Sequence, residues 1–104
     1  LTSLKNASVI FGNRIKELRE DAKLLQRQVA ARLELDTPLL SKIERGERRA
    51  RHEHVAALAK IFNVDEKELI TLWLADQVLE LVKDQVEAEN ALSIASKELK
   101  NSKK

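Results

Sequence analysis

Few residues in this chain are arranged for covalent chemistry. His52 and His54 flank a single glutamate, and at i and i+2 on a helix two imidazoles do not share a face, so no metal site is expected from them. Cysteine is absent, which removes thiolate nucleophiles, thiolate metal sites and any disulfide framework. No nucleophile stands beside a base, no glycine loop is built to cradle a phosphate, and the carboxylates after Asp65 read as the solvated side of a helix rather than a catalytic pair. What remains is charge. Residues 11–51 hold 11 basic and 7 acidic side chains, whereas residues 65–98 hold 3 basic and 9 acidic ones. The first stretch suits a polyanion; the second would be repelled by one and is expected to point away from it. Lys100, Lys103 and Lys104 make a short basic tail, read as a solvated terminus.

The elements that must carry this charge are helical. Of 104 residues, 43% are hydrophobic and 35% charged, enough for one domain with one modest core. Leucine and alanine fill 29 positions against two glycines and one proline, so helix formers abound, turn residues are scarce and an all-α fold is expected. No apolar run approaches a membrane span of about 18 residues, and residues 1–11 are too short and too little charged for a secretory signal. A cytoplasmic protein is expected, with no membrane contact, cofactor, metal or small-molecule effector. The sequence has no methionine, so its start is expected to be missing or processed.

Ile15, Leu18 and Ala22 repeat at helical spacing among charged residues and predict a first helix over 11–23. Val29, Ala30 and Leu33 mark a second, over 26–33, too short to stand alone. Pro38 fits a first helical turn, so Asp36 or Thr37 should cap a third helix that runs to about residue 44, where Gly46 suits a left-handed helix end. Val55, Leu58, Ala59 and Phe62 predict a fourth over 52–62. Asp65 with Glu68 three residues on resembles a capping box and opens a fifth helix, which neither glycine nor proline interrupts before Leu99.

Two short helices joined by a tight turn form a unit whose second helix can enter the major groove of DNA. The run from Gln26 to Gly46, with Gln26-Arg27-Gln28-Val29-Ala30 at its opening and Ser41-Lys42-Ile43-Glu44-Arg45-Gly46 at its close, resembles the helix-turn-helix of the phage-repressor, Cro and Xre family of bacterial regulators. The resemblance spans roughly residues 11–74. It implies a five-helix, repressor-like, DNA-binding domain with base contacts from Thr37, Pro38, Ser41 and Lys42. It further implies phosphate contacts from Gln26, Arg45, Arg48 and Arg49, and a structural ion pair between Arg19 and Glu44. Two positions depart from the family pattern. Glu34 occupies a turn position that is usually glycine, so its backbone should either avoid positive φ or carry strain, and Pro38 replaces a common polar side chain.

Beyond this unit, Leu74, Val78, Leu81, Gln85, Ala88, Leu92, Ala95 and Leu99 are spaced alternately by four and three, the seam of a coiled coil. Continuous helix over the 26 residues from Leu74 to Leu99 would be about 39 Å long. The expected organisation is an N-terminal arm (1–10), a DNA-binding domain (11–74) and a C-terminal helical extension (75–104) that makes a homodimer. Trp73, Leu74, Val78 and Leu81 are expected at the interface, although the weak later seam also allows the extension to fold back or fray. The function expected is a non-enzymatic, homodimeric transcriptional regulator of double-stranded DNA reading a pseudo-palindrome, of the restriction-modification controller or phage-repressor type. A rival reading is an antitoxin or helical interaction module that uses its C-terminal helix on another protein; a small hydrolase is a third, for which the sequence offers no site.

Overall fold

The computed structural model describes residues 9–103, and all regular structure within them is helical. The elements are α1 (Ile10–Asp21), α2 (Gln26–Leu33), α3 (Thr37–Glu44), α4 (His52–Phe62), α5 (Glu66–Val82) and α6 (Ala88–Ser102). No helix among the described residues is long and apolar enough to cross a membrane. The N-terminal arm expected over residues 1–10 lies outside the described residues except for Val9 and Ile10.

Three of the starts have a local cause. Asp36 accepts a hydrogen bond from the Leu39 amide at 2.9 Å and caps α3, with Pro38 in the first turn. Asp65 accepts from the Lys67 amide at 2.9 Å and caps α5, while Glu68 reaches instead to Arg14 on α1 at 2.7 Å. At α2 the Gln28 carboxamide oxygen accepts from the Leu25 amide at 2.7 Å, which is half of a capping box. Helix α1 has no capping side chain of its own.

Five helices surround one core. Phe11 and Ile15 of α1, Val29 and Leu33 of α2, Leu40 and Ile43 of α3, Val55 and Leu58 of α4 and Leu69 of α5 are all buried. Helix α5 lies against α1 and α4, and α3 is held between α1 and α2. Helices of eight residues, as α2 and α3 are, would not persist alone; their shared apolar face is what holds them.

The C-terminal half corrects the expected architecture. The predicted five helices are six: the helix expected without interruption from Asp65 stops at Val82, and a bent connection over 83–87 precedes α6. Nothing packs there to hold a continuous helix, Val86 being 97% exposed, and Asp84 and Val86 are both modest helix formers. The expected boundary after residue 74 falls inside α5, so the part that stands outside the core is α6, which has no buried residue.

A second correction concerns Asp76, grouped by sequence with the solvated carboxylates. It is 8% exposed, and its two oxygens accept from the amides of Ile10 at 3.0 Å and Phe11 at 2.9 Å. It therefore caps α1 from α5, placing an anion where unpaired amides and the helix dipole favour one. Burial pushes its carboxyl above the ordinary range, against the pull of the two amides. Its signal was its place on the inward stripe with Leu69, Leu72 and Trp73.

Gly12 packs α1 onto the end of α3 so closely that a Cβ would lie 2.5 Å from the carbonyl oxygens of both Ile43 and Glu44. Those are backbone atoms and cannot swing aside. Gly12→Ala, which would stabilise an unencumbered helix by about 0.5–1 kcal/mol, should instead destabilise by about 1–3 kcal/mol in urea unfolding. Asp76→Ala should cost about 1–2 kcal/mol at neutral pH through loss of the α1 cap. Because the native state holds the Asp76 proton more tightly than the unfolded chain, this group's contribution falls as pH rises from the ordinary carboxylate range through its raised native pKa. The stability gap between the parent chain and Asp76→Ala should accordingly be widest at acid pH.

Candidate nucleic-acid interface

The turn between α2 and α3 sets the angle at which α3 is presented. Helix α2 ends on Glu34 at φ 59° and ψ 37°, so the position expected to avoid positive φ or be strained is in the left-handed region with a side chain attached. The Leu35 amide donates back to the Ala30 carbonyl at 2.9 Å, and Leu35 turns into the packing. Ala30 is 1% exposed, buried together with Val29 and Leu33 on the face that α2 turns to α3, where its size permits close approach.

With Leu40, Ile43 and Glu44 buried, the opposite face of α3 is left to solvent. Thr37 and Ser41 are half-buried on it, and Pro38 and Lys42 are exposed. Positions 38, 41, 42 and 45 fall on one side of the helix at steps of three, one and three, so they form a single strip. Arg45, just past the helix end, is oriented from two directions: it donates to the Glu47 carboxylate at 2.8 and 3.1 Å and to the Ser41 hydroxyl. This pairing holds the Glu47 carboxyl below its ordinary range. Sequence reasoning passed over Glu47, whose signal was its place two residues from Arg45. Arg48 and Arg49 are exposed on the connection into α4. The strip and this connection carry one lysine and four arginines, Arg51 included, against one carboxylate.

Gln26 sits elsewhere than a simple phosphate contact would suggest. Its carboxamide nitrogen donates to Glu44 at 3.0 Å, so one of its two amide hydrogens is committed to the interior. Trp73, expected at a dimer interface, is partly buried within its own chain. Its indole N–H donates to the Ala50 carbonyl at 2.8 Å, and its ring meets His52 edge-on at 5.4 Å. Leu74, Val78 and Leu81 are exposed on α5 at 49%, 41% and 80%.

The expected ion pair between α1 and α3 is present. Arg19 donates to the two oxygens of Glu44 at 2.7 and 3.0 Å and to the Leu24 carbonyl at 3.0 Å, with Arg19 9% and Glu44 3% exposed. Hydrogen bonding to Glu44 raises the Arg19 pKa further above its ordinary value. One carboxylate thus joins α1, the start of α2 and the end of α3. Arg19→Ala should cost about 3–5 kcal/mol, since it strands a buried carboxylate, whereas replacing Arg19 and Glu44 together by methionine and leucine should recover most of that loss. Denaturant midpoints of the two variants measure the difference.

Comparison with family models matches residues 10–72 to the helix-turn-helix domain family, more than half of the chain. Comparison with curated proteins found no match, and neither did comparison with solved structures. The matched span begins with α1 and ends within α5, enclosing the core and the α2–α3 unit. The chain belongs to the helix-turn-helix domain family, a DNA-binding family.

Proposed function

We propose that this protein is a sequence-specific, double-stranded-DNA-binding transcriptional regulator of the Xre and Cro-like kind, acting by binding alone. The observation that carries the reading is the open strip of Thr37, Pro38, Ser41 and Lys42 on a helix whose other face is fixed in the core. In the major groove, Lys42 donates to guanine O6 and N7, Ser41 and Thr37 bond several base edges, and Pro38 meets a thymine methyl. Arg45, Arg48 and Arg49 grip phosphates around it. Gln26 adds its second amide hydrogen and the unpaired backbone amides of the first α2 turn.

One such helix reads only a few base pairs, too few to single out a site among about 10⁶ or more competitors. The chain is therefore read as a homodimer joined through Leu74, Val78 and Leu81 of α5, with Trp73 supporting that face from within. Its two α3 helices lie about 34 Å apart, in successive grooves of a pseudo-palindromic operator. A restriction-modification controller and a phage-type repressor both fit this layout. The second reading, an interaction module that docks another protein, is favoured by the open apolar side of α6, where Ile94 and Leu99 are each 64% exposed.

Selection of duplexes from a random library, followed by fluorescence anisotropy across a salt series, separates the two. A specific binder yields a two-fold consensus and loses affinity steeply as salt rises; a protein-only module yields none and binds weakly even at about 50 mM salt. On the selected duplex Lys42→Ala should cost about 1–3 kcal/mol and spare random DNA. Arg49→Ala should weaken both alike and reduce the salt slope by about one. Equal losses on both duplexes for Lys42→Ala would remove that residue from base reading.

A further inference from the structure

Two apolar strips stay open on the described surface. One is Leu74, Val78 and Leu81 of α5; the other is Leu92, Ala95 and Leu99 of α6. Steps of four and three on α5 and of three and four on α6 make the same pattern read in opposite directions. Helix α6 has no buried residue and makes no extensive contact with the other five, and a 15-residue helix standing largely free in water is marginal. It needs a surface, and its own α5 does not supply one: the two strips belong to consecutive helices of one chain, and both are exposed.

Charge selects the orientation. Helix α5 carries Glu66, Glu68, Asp76 and Glu80 against Lys67, with Asp65 just ahead of it, so its first turns are the acidic end and Lys67 is the one cation there. The last turns of α6 carry Lys97 and Lys100, followed by Lys103, against Glu98. Its start is acidic, with Glu87 and Glu89. An antiparallel pair therefore brings the lysine end of α6 toward the carboxylates that open α5, whereas a parallel pair sets Glu87 and Glu89 against them.

We propose that α6 of one chain lies antiparallel across α5 of a second copy, and that the second copy returns the contact, so that the dimer is closed by a reciprocal exchange of α6. Leu92 then meets the partner's Leu81, Ala95 the partner's Val78 and Leu99 the partner's Leu74. Ala95 leaves room for the branched valine opposite it. A two-fold axis makes the contact twice, and the same patch serves both subunits. This inference rests on the homodimer reading above and adds what closes the dimer.

Cysteine is absent from the chain, so paired cysteines report contacts without background. Val78→Cys and Ala95→Cys are made singly and together on exposed positions, and the full chain is oxidised mildly after subunit exchange. The expected result is a dimer in sedimentation equilibrium. Mixed single variants should give a disulfide-linked heterodimer, and the double variant a covalent dimer with two links. Leu99→Glu should raise the dimer dissociation constant about tenfold or more. An internal disulfide in a monomeric double variant, or self-linking of Ala95→Cys alone, overturns the exchange, the first showing α6 folded on its own chain and the second α6 paired with α6. Self-linking of Val78→Cys alone keeps the homodimer and sinks the exchange; monomers at every concentration sink both.

Discussion

Glu44 puts a carboxylate at the centre of the α1, α2 and α3 junction, where water does not reach, and the rest of the unit is arranged around satisfying it. Arg19 meets it with two parallel N–H donors and Gln26 adds a third. Removing an ion pair from water is costly enough that a well-packed apolar substitute is often as stable. The return is geometric. A guanidinium fork and a carboxylate fit in one orientation, and here that orientation fixes the end of α3 relative to α1. Gly12 allows the two helices to come close enough for the fork to reach. Asp36 fixes the other end of α3, so the helix is held at both termini and along its apolar side, with one face left over.

The charges follow the same division. Buried or clamped carboxylates are structural: Glu44 orients Arg19, Asp76 caps α1, and Glu68 joins Arg14 across to α5. The basic groups on α3 and the connection after it are exposed, and Arg45 is oriented by Ser41 and Glu47 rather than left to sample freely. An arginine held in a fixed fork gives up less freedom when it meets an anion than one that must first be ordered. The acidic residues concentrate on α5 and in the chain after it, apart from α3, and charge of that sign repels a polyanion.

Most of the helix boundaries were legible because periodicity, Asp36, Pro38, Asp65 and Gly46 carry local physics that tertiary structure did not override. α2 and α4 run over the predicted residues, and α3 ends where its expected limit lay. The Arg19–Glu44 pair came from family likeness, not from spacing, since nothing local relates residues 25 apart. Asp76 was hidden by its composition: among many carboxylates on an acidic helix, the one on the apolar stripe looks like the others unless the stripe is traced through it. The break after Val82 was hidden for a different reason. A heptad pattern records where apolar residues fall, not whether anything covers them, and uncovered helix has little to hold it against solvent. The solvent side formed by Thr37, Pro38, Ser41 and Lys42 is simple geometry, the complement of Leu40, Ile43 and Glu44.

A chain with two glycines must still end its helices, and the way it does so shows where local preference yields to packing. After α1, α2 and α4 the backbone turns left-handed at Lys23, Glu34 and Asn63, each with a side chain in place. In all three the next residue donates its amide to a carbonyl five back: Leu24 to Arg19 at 3.0 Å, Leu35 to Ala30 at 2.9 Å and Val64 to Ala59 at 3.0 Å. Those next residues are apolar and packed against the core. A left-handed residue with a Cβ costs about 1–2 kcal/mol, and fully burying a leucine or valine is worth about 1.5–3 kcal/mol, so the partial burial that follows each turn offsets much of the strain. The end of α3 makes the same bond, from Glu47 to Lys42 at 2.9 Å, but there the following residue is an exposed glutamate with nothing to bury. That is the one of the four positions filled by glycine, Gly46, at φ 75°. The glycine stands where the following residue stays in water, and tertiary burial holds the other three turns without one.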